Sequence, residues 1–207
     1  MKNIATSVLN FIHLAEKLKT ELRHSWMSNG RRESVAEHSW QMALLALLVY
    51  RHLEVPVDLE QTLKMILVHD LVEAEAGDIP FFEKGPRKEQ KQQREQEAIE
   101  KIRKILDIQT GQEFYNLFQE FEQADTPEAK LAKALDNLEV QMQHNLAGFS
   151  SWEEIEYELV YSKMDDPCSH DAFLRELCEA VKQQAEQKLK ENGINPESIR
   201  QKIKDDH

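Results

Sequence analysis

The chain has 207 residues, 41 % of them hydrophobic and 31 % charged, a mixture that is globular rather than disordered and long enough for a substantial core without staples. Its net charge of −12 argues against general nucleic-acid binding, which needs a basic footprint; a small anion remains open to it, because a bound cation and a few Arg or Lys reverse the field locally. Only six Gly and six Pro leave few turns, which favours long helices over many short strands.

Val8, Leu9, Phe11, Ile12, Leu14, Ala15 and Leu18 recur at helical spacing and predict a first helix over residues 3–21. Glu16, Lys17, Lys19 and Glu21 interrupt its apolar face, so this is not a signal peptide. No uncharged apolar run reaches the ~18 residues of a membrane span, and a soluble cytoplasmic protein is expected. Residues 23–30 break the periodicity and read as a loop. Ser34-Val35-Ala36-Glu37 is a capping box, opening a second helix so apolar that it is expected to sit centrally and to stop before Pro56. Asp58 caps a third helix, which runs into the stretch 65–78. That stretch begins as core and then brings His69, Asp70, Glu73, Gly77 and Asp78.

Residues 79–86 read as a loop with Phe81 and Phe82 at the surface, and residues 87–105 as a highly charged helix with a thin buried stripe of Ile99, Ile102 and Ile105. Thr110 to Glu113 caps a short helix through Phe121. Thr126-Pro127 starts another that ends near Leu146, and Ser151 to Glu154 caps the next. Asp165-Asp166-Pro167 breaks it, a long helix covers 169–191, and Asn195-Pro196 starts a short last one. No strand, repeat, linker or low-complexity block is predicted. The expected fold is all-α: a single domain over residues 1–207, a bundle of seven to nine helices with its motif-bearing core at 12–146 and the helices of 151–207 packed on it. Cys168 and Cys178 fall on one predicted helix, roughly 15 Å apart by helical rise and too distant for a disulfide, and read as reduced core thiols.

The chemistry lies in four separated places: His38 early in the second helix, His69 and Asp70 late in the third, and Asp136 in Lys133-Ala134-Leu135-Asp136. Singly, each has a plain structural reading: His38 as a satisfied buried histidine, His69-Asp70 as a chance dipeptide, Asp136 as a helix–helix hydrogen-bond partner. Together, two imidazoles and two carboxylates suit a divalent transition ion with open positions. Glu73 falls four residues after His69, on the same face of a continuous helix, and Asp78 follows a glycine that permits a turn. His13, His24, His52, His144, His170 and His207 match no ligand spacing and read as structural or surface residues.

This pattern resembles the HD-domain metal-dependent phosphohydrolase superfamily, and more closely its bacterial 5′-deoxynucleotidases and the eukaryotic HD domain-containing protein 2 group. The residues that carry the likeness are Arg23 and Trp26, Glu33-Ser34-Val35-Ala36-Glu37-His38-Ser39, Val68-His69-Asp70-Leu71-Val72-Glu73-Ala74, Gly77-Asp78-Ile79 and Lys133-Ala134-Leu135-Asp136. The resemblance implies that His38, His69, Asp70 and Asp136 hold one divalent metal (Zn, Mn, Fe or Co), that Glu73 and Asp78 are catalytic, that Arg23 holds the phosphate and that Trp26 borders the sugar. Lys133 is placed either to pair with Asp136 or to meet the phosphate. The implied enzyme is a phosphohydrolase removing the 5′-phosphate of nucleoside monophosphates, deoxyribonucleotides above all, by metal-activated water. Its implied partners are that substrate and a second copy of the chain, with no nucleic acid and no membrane. The rival readings are hydrolysis of guanosine tetraphosphate or a cyclic nucleotide, and a metal-dependent nucleotide sensor without turnover.

Overall fold

A computed structural model describes residues 3–205; His207 lies outside the described residues. The chain opens with α1 (Ile4–Ala15), capped by the Asn3 side chain on the Thr6 N–H, and tightens into a 3₁₀ turn at Glu16–Lys19. Two short strands follow, β1 (Leu22–Trp26) and β2 (Arg32–Ser34), paired antiparallel with Leu22 opposite Ser34 and Trp26 opposite Arg32. This hairpin corrects the loop expected over residues 23–30. Leu22-Arg23-His24-Ser25-Trp26 shows no alternation of apolar and polar residues, so the strand has no sequence signature; it forms because Gly30, at φ +83°, closes the turn between Met27 and Arg31.

Helix α2 (Val35–Val49) starts at the predicted capping box, with the Ser34 hydroxyl accepting from the Glu37 N–H and the Glu37 carboxylate accepting from the Ser34 N–H. One face of α2 buries Val35, His38, Met42, Ala46 and Val49, while Trp40, Leu44, Leu47 and Leu48 face outward. A helix apolar on both faces is thus central on one side only. Helix α3 (Leu59–Val68) begins at the Asp58 cap. It ends one residue before His69, and the next full helix, α4 (Glu73–Ala76), is a single turn. Between them Leu71, Glu73 and Ala74 bond to carbonyls three residues back. That tighter winding eclipses residues three apart, so Asp70 and Glu73 lie above one another; the continuous face expected for His69 and Glu73 is absent.

The charged segment divides into α5 (Pro86–Glu89) and α6 (Lys91–Ile105). Helix α7 (Ile108–Gln123) begins three residues before the predicted Thr110 cap, at Asp107, whose carboxylate accepts from the Gln109 and Thr110 N–H groups. Gly111 is therefore inside the helix, where any side chain would strike the Arg103 carbonyl of α6; the glycine marks close helix packing, not a start. Helix α8 (Pro127–Leu146) is the axis of the molecule, with Leu131, Ala134, Leu135 and Leu138 fully buried against α2, α3, α7 and the C-terminal helices. Then come α9 (Glu154–Leu159), capped at Glu153 rather than Ser151, α10 (Asp165–Cys168), α11 (Ala172–Glu191) and α12 (Pro196–Asp205). The fold is all-α, with eight helices of ten residues or more and four shorter ones among the described residues. Cys168 and Cys178 lie on different helices, α10 and α11, and their buried thiols are close enough to influence one another electrostatically. The break before Ala172 folds α10 back and removes the separation that one straight helix would impose.

Candidate active site

A cleft of about 380 Å³ opens between the hairpin, the α3–α4 junction, the loop carrying Phe81 and Phe82, and α8. The buried end of that region gathers residues from three elements. His38 projects from the first turns of α2, His69 from the end of α3 and Asp136 from the middle of α8, and one donor atom from each lies within 4.8 Å of the others. His38 Nε2 is 3.2 Å from Asp136 Oδ1 and 3.8 Å from Asp70 Oδ2, and His69 Nε2 is 3.2 Å from Asp70 Oδ2.

Both imidazoles are oriented from behind. His69 Nδ1 is 2.7 Å from the Ile66 carbonyl, which can only accept, so Nδ1 carries a proton and the neutral ring leaves its lone pair on Nε2. His38 Nδ1 is 2.5 Å from Glu139 Oε2, a fully buried carboxylate. The two Nε2 atoms are buried and make no hydrogen bond. Unpartnered buried nitrogens beside two carboxylates are costly in a structural core and fit a divalent cation, with the acceptors behind the rings setting tautomer and angle. Burial and Arg23 oppose charge on His38, yet Glu139 and Asp136 raise its pKa to about 10; burial opposes charge on Asp136, and His38 still lowers it to about 2. The pocket is tuned to hold a positive charge at Nε2.

Arg23, on β1, reaches into the cleft and places Nη1 3.2 Å from Asp70 Oδ2. Burial works against its charge, but Asp70, Asp78, Glu73 and Asp136 outweigh it and keep the guanidinium ionised. Glu73 is buried, and one of its oxygens has no partner. Burial first, then Asp70 and Asp78, push its pKa well above the carboxylate range. Burial likewise raises that of Asp78, against Arg23. Gly77, at φ +78°, turns Asp78 into the cleft; the Asp78 N–H donates to Glu21 and Arg87 donates to its carbonyl, which pins the corner. Lys133 lines the cleft while its Nζ pairs with Glu122 at 2.8 Å and sits over the Phe121 ring. It meets Glu122 rather than Asp136. Trp26 is outside the cleft, in a neighbouring groove with Met27, Arg32 and Trp152. The side chain next to Arg23 in the cleft is instead His24.

Several residues here escaped sequence reasoning. Glu139 had a signal: it lies three residues after Asp136, on the same helical face. Lys88, Lys91 and Lys163 line the cleft with Arg23 and Lys133, a cationic rim in an acidic chain. They come from separate elements, so no spacing announces them. His24 and His144, read from sequence as structural or surface residues, also line the cleft.

An all-helical scaffold, a buried site of two imidazoles and two carboxylates, and an arginine with acid groups at its mouth define a metal-dependent phosphohydrolase. The family model described as "HD domain" matches residues 15–175, and the chain belongs to that family. It is 36 % identical to the 5′-deoxynucleotidase HDDC2 of Danio rerio over 139 residues, 66 % of this chain and 68 % of the relative. To the HDDC2 of Homo sapiens it is 33 % identical over 156 residues, 74 % of this chain and 72 % of the relative. A crystal structure of a predicted metal-dependent phosphohydrolase from Magnetospirillum magnetotacticum aligns with a TM-score of 0.78 at 25 % identity, covering 93 % of this chain and 96 % of that one.

Proposed function

We propose that this protein is a 5′-deoxynucleotidase that releases phosphate from deoxyribonucleoside 5′-monophosphates. The observation that carries the reading is the pair of orphaned Nε2 atoms on His38 and His69, facing Asp70 and Asp136 at the end of a cleft that also holds Arg23. Those four residues are the ligands we assign to one divalent metal; their donors admit Zn, Mn, Fe or Co. When bound, such an ion polarises a phosphoryl oxygen and makes water a better nucleophile. Arg23 presents a planar fork to the phosphate, with Lys133 and the other rim lysines adding positive field. Glu73 and Asp78 handle protons: one takes a proton from the attacking water, and the other returns one to the 5′-oxygen as its bond to phosphorus breaks. Their raised pKa values suit both tasks. Trp26 has no assigned contact with the sugar, because it lies in the neighbouring groove.

The net charge of −12 supports a mononucleotide over a nucleic-acid polymer. No helix among the described residues is long and apolar enough to cross a membrane, and two unpaired cysteines support a reducing cytoplasm. We read residues 1–207 as one domain, because α11 contributes Leu174, Cys178 and Val181 to the main core. The outward stripe of Trp40, Leu44, Leu47 and Leu48 on α2 supports a homodimer. The test is phosphate release from a panel of deoxynucleotides and ribonucleotides against divalent metals. Metal-dependent release from deoxynucleotides is expected, with a drop of about 10²–10⁴-fold in Glu73→Gln. No release from any deoxynucleotide with any metal would remove the proposal.

A further inference from the structure

The cleft has a second polar end that the hydrolytic chemistry does not use. Asp136, Val140 and His144 lie four residues apart on α8 and all line the cleft. From Asp136 to His144 the helix advances about 12 Å, a span comparable to a mononucleotide from phosphorus to the far edge of its base. At His144 the cleft meets Glu156 of α9 and His24 of β1. His144 Nδ1 and His24 Nε2 each lie 3.3 Å from Glu156 Oε1.

This cluster is built but unfinished. Glu156 Oε2 accepts the Glu153 N–H at 2.7 Å, which fixes the carboxylate, and His144 Nε2 lies 3.3 Å from the Ser25 hydroxyl. The Glu156 side chain is only 4 % exposed. Even so, Glu156 Oε1 and His24 Nε2 make no hydrogen bond of acceptable geometry. A buried acceptor and donor left side by side are costly. The Watson–Crick edge of a nucleobase offers the complement, a donor beside an acceptor. Phe82 packs edge-on against His24, ring centroids 4.9 Å apart, and gives that end an aromatic wall on which a base can lie.

We infer that Glu156, His24 and His144 form the base-recognition end of the cleft, with Glu156 Oε1 accepting from an amino or imino group of the base and His24 Nε2 donating to its neighbouring acceptor. The inference rests on the nucleotidase reading for its substrate, and its experiment separates the two. Steady-state kinetics are measured on deoxynucleotides and on 2-deoxyribose 5-phosphate, which has no base, for the wild type, Glu156→Gln and His144→Gln. In parallel, calorimetry measures binding of the four deoxynucleosides, which carry no phosphate.

The variants are expected to lose about tenfold or more in kcat/KM on deoxynucleotides, as for one hydrogen bond to a charged group, through KM. Turnover of 2-deoxyribose 5-phosphate stays unchanged, and deoxynucleoside binding weakens in step. Equal losses on both substrates, or no loss on either, overturn the inference. If the wild type cleaves no deoxynucleotide, the nucleotidase reading fails alone: deoxynucleoside binding lost in Glu156→Gln still supports the base site, and no binding by the wild type overturns it. His144→Gln carries the test should Glu156→Gln fail to fold.

Discussion

Replacing Glu139 by Gln isolates what the carboxylate behind His38 contributes. Glu139 is fully buried and its Oε2 lies 2.5 Å from His38 Nδ1. Gln keeps the volume and an acceptor oxygen but not the charge. A hydrogen bond to a charged group contributes about 1.5–3 kcal/mol, and a neutral one roughly half as much. The substitution therefore removes about 0.8–1.5 kcal/mol of hold on the imidazole. At 1.4 kcal/mol per factor of ten, divalent-metal affinity should fall about four- to tenfold, reaching the lower end of the range for partners of ligating histidines. The assay is competition between the protein and a fluorescent chelator for Zn or Mn at fixed pH, with circular dichroism and metal-free melting to confirm that the variant is folded. A folded Glu139→Gln protein that binds metal as tightly as the wild type would refute the reasoning. Glu139 would then be a buried acid that happens to touch His38, and His38 would need another explanation for its orphaned nitrogen.

Chelation offers a simpler check on the same centre: metal at a hundredfold excess over its Kd stabilises by about 2.7 kcal/mol. At about 2–4 °C per kcal/mol for a chain of this size, its removal should lower Tm by about 5–10 °C in a melting scan, and an unmoved Tm counts against a metal bound only by the native state. Ser34→Ala removes the side-chain half of the α2 capping box and should cost about 1 kcal/mol, read as a small drop in Tm that Ser34→Asp restores; a loss in both variants would point away from capping. Lys163 lines the cleft, and burial, with Lys88 nearby, lowers its pKa to about 8. It is charged below that pH and neutral above, so an anionic substrate loses an attraction as pH rises through 8. KM should climb there in the wild type and stay flatter in Lys163→Arg, which remains charged; identical KM profiles would exclude Lys163 from substrate binding.

The amino-acid order alone determined the helical class and the caps at Ser34, Asp58 and Thr126, and it marked out His38, His69, Asp70 and Asp136 as the residues proposed above to hold the metal. Those features are local: a cap is spelled within four residues, amphipathic faces repeat with the helical period, and imidazole or carboxylate in an apolar helix is conspicuous wherever it occurs. The β1–β2 hairpin was illegible because its stability comes from Gly30 and tertiary cover, not from alternation. The helix start at Asp107 was misread because Gly111 answers to packing against Arg103. Only the tertiary structure decided which residues share the cleft. It brought His24 in and left Trp26 out, placed Glu139 behind His38, collected lysines from separate elements, and set His144 against Glu156. Contacts of that kind join residues 101 positions apart and more, as His38 and Glu139 are, and no spacing rule reaches so far, because their geometry is fixed by how helices pack rather than by the period of any one of them.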